Sequence, residues 1–312
     1  MAKLKTIGIP STLIHYIDYF DWETFFKALG CNVVISKDSD YNLFASGFKY
    51  ATNDQCFPVK VYYGHIKELS DKADTIFIPQ LISLKKDTFS CPKIIGLPQL
   101  MENTIDGVPD IIRAAIDVNE PKKTFFNITK LCLQFTRNPI RISNAIRHFK
   151  NKFDSLAKGN MMIKNGQGQT TAERNIGIIG HNYTLNDSLL NMNLFRKIEG
   201  YDYGYIASDQ IEPNANPGKE LFGLKEVHWD FGQHMVHAAD TFSKDPSVKG
   251  IIFLTYFGCG IDAFVEEVFR DTISKTKPYL SLAIDEHTAE AGTLTRIEAF
   301  LDMIQLAERR NR

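Results

Sequence analysis

Gly250-Ile-Ile-Phe-Leu-Thr-Tyr-Phe-Gly-Cys-Gly-Ile-Asp262 decides the fold class. Gly250 to Tyr256, rich in β-branched and aromatic residues, reads as a buried strand. Gly258 and Gly260 break it, and from Ile261 to Asp271 the apolar residues recur with helical spacing. A strand that passes through a glycine turn into a helix is the first half of a βαβ unit. The same alternation runs outward in both directions. Upstream, Asn175–Gly180 reads as a strand, Ser188–Glu199 as a helix, Tyr203–Ala207 as a strand and Val227–Phe242 as a long amphipathic helix. Downstream come a strand over Tyr279–Ile284 and a closing helix over Leu294–Leu306, with Thr295 and Glu298 read as its capping box.

The N-terminal half has the same rhythm. Lys3–Pro10 reads as a strand, Tyr19–Leu29 as a helix ended by Gly30, Cys31–Ser36 as a strand and Pro58–Leu69 as a helix with proline at its start. Thr75–Ile78 and Lys93–Leu97 read as two more strands. Strands with intervening helices imply parallel pairing, buried on both faces. The expected fold is α/β, with two flavodoxin-like or Rossmann-like domains, mostly parallel sheets and a cleft between them. Residues 1–130 form the N-terminal domain and 173–312 the C-terminal one. Residues 131–172 form a helical connection and linker, the linker being Lys164–Ala172. Thr136–Ala157 is basic, with Arg137, Arg141, Arg147, Lys150 and Lys152, and reads as a solvated helix face or a docking surface for an acidic partner or an anionic ligand.

The 312 residues suit two domains. Lys plus Arg is 36 and Asp plus Glu is 37, a net charge of −1, which argues against a nucleic-acid partner held by overall positive charge. With 44% hydrophobic and 23% charged residues the composition is that of a globular protein rather than a disordered one. No apolar run approaches the ~20 residues of a membrane helix, so no membrane is expected. The start, Met1 to Pro10, enters a strand-like run with no signal-peptide pattern. The five cysteines (Cys31, Cys56, Cys91, Cys132 and Cys259) are odd in number and widely spaced, without a CxxC pair. Reduced thiols in a cytoplasm are therefore expected.

Open α/β sheets bind ligands at the carboxyl ends of their strands, so reactive residues that follow strands are the candidates. Cys259 follows one and precedes a helix whose free N–H groups favour a thiolate. Cys56, in Asn53-Asp-Gln-Cys-Phe-Pro58, precedes a proline-started helix. Cys91 precedes Pro92 and falls at the start of the Lys93–Leu97 strand. That is the wrong sheet edge, unless Ile82–Ser90 returns across the sheet. Cys31 and Cys132 read as small buried hydrophobes. Three thiolates converging between two domains suit an iron–sulfur cluster, with zinc as the competing chemistry. His65, on a helix after Cys56, has no ligand spacing. Asp285-Glu-His-Thr-Ala-Glu-Ala-Gly292 follows a strand and offers Asp285, Glu286, His287 and Glu290 as acid–base, orienting or docking groups. His181 also follows a strand. His234 and His237 share a helix with Trp229 and Gln233 and lack an evident third ligand. There is no Walker A loop, GxGxxG or GxSxG motif.

Several segments together resemble the iron–sulfur components related to 2-hydroxyacyl-CoA dehydratases and benzoyl-CoA reductases. More narrowly, they resemble the CoA-substrate-specific enzyme activase-related uncharacterised family. The segments are Asp54-Gln-Cys-Phe-Pro-Val-Lys60, the Cys91-Pro92 loop, Phe257-Gly-Cys-Gly-Ile-Asp262, Asp285 to Gly292 continuing to Phe300, and Leu29-Gly-Cys-Asn-Val-Val-Ile-Ser36. The resemblance implies a [4Fe-4S] cluster on Cys56, Cys91 and Cys259. It also implies an electron supplied by an ATP-dependent activase of the actin-like ATPase kind, a difficult substrate such as a CoA ester, dimerisation, and the metabolism of an anaerobe. Ile261 stands where the family pattern has proline. The expected function is an electron-transfer or reductase/dehydratase-type component. The alternative is a non-catalytic bilobal module that binds a small molecule or a partner.

Overall fold

A computed structural model describes residues 5–14, 20–157, 172–201, 203–211 and 227–310, which form ten strands and twelve α-helices. The chain divides into two compact units: Met1–Lys164 with His228–Asp230, and Asn165–Val227 with Phe231–Arg312. The linker read over Lys164–Ala172 lies outside the described residues, apart from Ala172.

In the first unit, β1 (Thr6–Ile9) is followed by α1 (Trp22–Leu29), β2 (Asn32–Ile35), α2 (Tyr41–Phe48), α3 (Phe57–Ser70) and β3 (Thr75–Phe77). β4 (Gln80–Ser83), α4 (Pro92–Ile95), α5 (Leu97–Thr104), β5 (Ile111–Ile112) and β6 (Ala115–Asp117) come next, and α6 (Pro121–Leu133) and α7 (Pro139–Ala157) close the unit. The sheet has the order β2-β1-β3-β5 and every pair is parallel. β4 and β6 pair in parallel and prolong β3 and β5, joined to them by the Ile78 N–H to Ile112 O bond (3.0 Å) and the Gln80 N–H to Ala114 O bond (3.0 Å). Pro79, which has no N–H to give, marks the break between β3 and β4. Helix α1 is capped by Asp21, whose carboxylate accepts the Thr24 N–H, and ends at Gly30 with φ of 85°. Its aromatic face packs against β3 and α7: Trp22 lies 4.6 Å from Phe77, and Phe20, just before the helix, stacks on Phe149 at 4.7 Å.

The second unit repeats the plan. β7 (Asn175–Ile179), α8 (Asn182–Asn186), α9 (Leu194–Glu199), β8 (Gly204–Ala207), α10 (Asp230–Lys244), β9 (Val248–Tyr256), α11 (Gly260–Thr272), β10 (Tyr279–Ile284) and α12 (Glu290–Arg310) follow in order. The sheet order is β10-β9-β7-β8, again all parallel. The α/β reading of the sequence holds in both units. All of β7 and β8 is buried, as expected of strands covered on both faces.

Three local readings are corrected. Lys93–Leu97 is helical, not a strand: Pro92 presets the first helical φ of α4, and the strand-like Ile94-Ile95 pair lies within that turn. Ser188–Glu199 is helical only from Leu194. The final helix starts at Glu290, so Thr295 and Glu298 are interior. Thr295 donates to the Ala291 carbonyl (3.0 Å), and Glu298 accepts from the Tyr201 hydroxyl (3.0 Å). Helix α2, for which the sequence reading has no counterpart, crosses α3 backbone to backbone. A Cβ on Gly64 would stand 2.2 Å from the Leu43 carbonyl oxygen, and one on Gly47 2.1 Å from the Gly64 nitrogen. Gly64→Ala is therefore expected to destabilise the protein by about 3 kcal/mol through overpacking. Gly292→Ala in α12, where a new methyl would meet nothing within 4 Å, is expected to be neutral or slightly stabilising. Thermal denaturation of the two variants checks the contrast.

Candidate functional site

In the second unit the chain leaves β7 toward β8 on one side, and β9 lies on the other. The carboxyl ends of β7 and β9 therefore flank the point where the strand order reverses, the ligand position of open α/β sheets. His181 follows β7 after Gly180. Cys259 follows β9 after Phe257 and Gly258, whose φ of 78° turns the chain, and is the N-cap residue of α11. Asp262 lies in the first turn of α11. One ligand atom each of His181, Cys259 and Asp262 lie within 4.8 Å of one another.

The pair at the centre of this group is buried. His181 Nε2 donates to Asp262 Oδ1 at 2.6 Å, with side-chain exposures of 2% and 0%. Asp262 Oδ2 accepts the Tyr256 N–H at 3.2 Å, so both carboxylate oxygens are used. The imidazole is clamped by Tyr183, stacked at 4.8 Å, and by Phe231, edge-on at 5.6 Å. Its other nitrogen, Nδ1, is buried and has no hydrogen-bond partner. Cys259 itself is half-buried, and so it is the most accessible residue of the group.

Cys56 and Cys91 belong to the first unit. Cys56 is buried and is the N-cap residue of α3, with Pro58 in the first turn. Cys91 is half-buried and is the N-cap residue of α4. The strand count puts Cys91 at the wrong edge; in the fold it begins a helix that follows β4. The return is made by Leu84–Ser90, held by the Ser90 N–H to Ile82 O bond (2.9 Å) and the Ser90 hydroxyl to Asp230 Oδ2 bond (3.2 Å). Lys93 Nζ donates to the Asp54 carbonyl at 2.7 Å, which ties the Cys91 helix to the loop that carries Cys56. Lys60, buried at 3% exposure on the first turn of α3, and Lys93 both help to hold the Asp54 carboxyl below its usual range, after its bond from the Thr52 hydroxyl. None of the sulfurs of Cys56, Cys91 and Cys259 caps its own helix.

Cys31 and Cys132, buried as Cys56 is, open no helix: Cys31 precedes β2 and Cys132 lies near the end of α6. Burial pushes the Cys31 thiol up to about 11, against the pull of Lys5 and Arg141, and the Cys132 thiol up to about 12. Their sulfurs stay protonated at neutral pH and pack as apolar groups. His65 is fully buried and bonded at both nitrogens, Nδ1 to Ser36 Oγ (2.7 Å) and Nε2 to Ser39 Oγ (3.0 Å). It is a packing residue. His234 Nε2 donates to the Ser208 carbonyl at 2.8 Å, and among the described residues His234 and His237 belong to no ligand group.

The Asp285 segment lies beside the Cys259 turn, joined to it by the Phe257 N–H to Ile284 O bond (3.1 Å). Asp285 organises its own turn, accepting from the Thr288 hydroxyl (2.7 Å) and the His287 N–H (2.9 Å), bonds that lower its carboxyl pKa. His287 projects into solvent, Glu286 is half-buried, and Glu290 opens α12 with Lys197 at 3.1 Å. Two acidic residues have no role in the sequence reading. Asp262 enters it only as part of a motif, although an acid three residues after a helix-opening cysteine is a usable signal. Asp209, just past β8, is 4% exposed. Burial raises its carboxyl to about 6, against the bond from Asn186 Nδ2 to its Oδ2 at 2.9 Å.

Alkylation of the native protein at neutral pH is expected to modify Cys91 and Cys259 and to spare Cys31 and Cys132 until unfolding, as read by peptide mass spectrometry. Asp209 has a folded pKa above its unfolded value of about 3.9. Its native state thus binds more protons between about pH 4 and pH 6, and stability is lost as pH rises through that window. Asp209→Asn removes this loss. It is expected to be more stable than the parent by about 2 kcal/mol at pH 7, the gain vanishing near pH 4. Denaturant unfolding at the two pH values tests it.

Among the described residues no helix is long and apolar enough to cross a membrane. No curated protein matches the chain. Residues 6–211, about two thirds of the chain, match the family described as the CoA enzyme activase uncharacterised domain (DUF2229). The match takes in Cys56, Cys91 and His181 and stops before Cys259. The chain belongs to this CoA enzyme activase-related family.

Proposed function

We propose that the chain is an iron–sulfur electron-transfer component of the reductase or dehydratase kind, with a [4Fe-4S] cluster on Cys56, Cys91 and Cys259. An ATP-dependent activase reduces it, and it acts on a CoA ester or another substrate that resists reduction. One observation carries the reading: each of these three cysteines, and neither Cys31 nor Cys132, is the residue that opens a helix. Family membership supports a CoA substrate and an activase partner.

The donor set fits the group. Iron–sulfur clusters are held by thiolates, and three thiolates leave one of four irons for another ligand. When bound, the cluster supplies one-electron chemistry at low potential. The protein's part is electrostatic and positional. The N-termini of α3 and α11, of 14 and 13 residues, present backbone N–H groups and positive dipole ends to Cys56 and Cys259. Lys60 and Lys93 add positive charge around Asp54, two residues before Cys56. Glu286, His287 and Glu290 are acid–base or docking groups for substrate or partner, a role that suits the exposure of His287.

The test is iron and acid-labile sulfide per chain after anaerobic purification and reconstitution, with visible spectra before and after dithionite. About four of each, with absorbance that bleaches on reduction, is expected. Cys259→Ala should lose or alter the cluster. Neither iron nor sulfide after reconstitution would overturn the reading in favour of a non-catalytic binding module.

A further inference from the structure

The group formed by His181, Cys259 and Asp262 lies within the second unit and is complete without Cys56 or Cys91. Its histidine is unlike the other buried one. His65 has both nitrogens bonded to serine hydroxyls, whereas His181 has Nε2 bonded to Asp262 and Nδ1 buried without a partner. An orphaned buried polar atom is destabilising, because its lost hydration is not replaced. An imidazole that gives one N–H to a carboxylate and keeps the other nitrogen open is the usual state of a metal-ligating histidine, the carboxylate fixing its tautomer and orientation. The stacked Tyr183 and edge-on Phe231 hold the ring in place. The Cys259 sulfur lies within 4.8 Å of one ligand atom each of His181 and Asp262, on a half-buried residue at the start of a 13-residue helix.

We propose that the second unit holds one divalent transition-metal ion on Cys259 and His181, with Asp262 orienting the imidazole and solvent completing the coordination. One soft sulfur and one imidazole nitrogen suit zinc, cobalt or ferrous iron rather than magnesium or calcium, which prefer oxygen ligands. The half-buried Cys259 gives the ion its entry and leaves room for an exchangeable ligand, as catalytic zinc sites do. This goes beyond the cluster reading and shares Cys259 with it. A chain loaded with a single ion therefore lacks that thiolate for a cluster, and the two metal states exclude each other.

The probe is cobalt(II), added anaerobically to the full chain carrying Cys56→Ser and Cys91→Ser, which removes the other proposed cluster ligands. One cobalt per chain is expected, with a thiolate-to-cobalt charge-transfer band that is lost when Cys259→Ser is added. X-ray absorption of the same complex should show one sulfur and an imidazole around the metal, a readout that needs no change at the buried His181. Asp262→Asn should weaken cobalt binding about 10- to 100-fold. A complex without sulfur, or with sulfur but no imidazole, would overturn the proposal. So would a folded Asp262→Asn protein with unchanged affinity. The double variant lacks two of the three proposed cluster ligands, so its result is independent of the cluster reading. Cobalt binding there with no iron or sulfide in the parent chain would sink the cluster alone, and the converse would sink this site alone.

Discussion

Parallel pairing of β7 with β9 is the constraint on which the chemistry of the second unit depends. Their register, Ile176 with Gly250 through Ile179 with Phe253, brings two strand ends together at the sheet edge where the connections part. It sets His181 beside the turn that carries Cys259 and beside the first turn of α11 with Asp262. The charge of a carboxylate at 0% exposure must be met locally, because an unpaired buried ion is strongly destabilising. His181 and the Tyr256 N–H meet it, and this closes the β9–α11 turn around the cysteine.

The first unit has its own parallel sheet and uses its edge differently. Ser11, Ser36 and Ser39 form a closed hydrogen-bonded set with His65 that leaves neither ring nitrogen open. The reactive candidates sit instead at the starts of α3 and α4. Their positions follow from contacts that are not local: the approach of Gly47 to Gly64, which seats α3 on α2, and the Lys93 bond to the Asp54 carbonyl. Five cysteines of one chemical type thus divide by surroundings. Two are desolvated and kept as thiols, and three open helices, which places backbone N–H groups next to sulfur.

The α/β class, the alternation of strand and helix in both halves and the burial of Cys31 and Cys132 were legible in the sequence. They rest on local signals: apolar periodicity, Gly30 after α1, proline early in α3, and glycines around Cys259. The strand-like pair Ile94-Ile95 misleads, because Pro92 and the contacts of α4 outweigh a short β-branched run. The turn that returns Cys91 to its place is hidden for a related reason. Its bonds run to Ile82 and Asp230, and the latter is remote in sequence.

The residue types were therefore set by the chain alone, together with the strand ends that carry them, since periodicity and turn chemistry act over a few positions. Which of those residues meet was decided only by the tertiary structure. His181 and Asp262 are 81 positions apart, and their hydrogen bond exists because two parallel strands place their ends side by side. No local pattern distinguishes a histidine with one nitrogen left open from one satisfied at both. That difference depends on what the fold packs around each ring, serine hydroxyls at His65 and aromatic faces at His181.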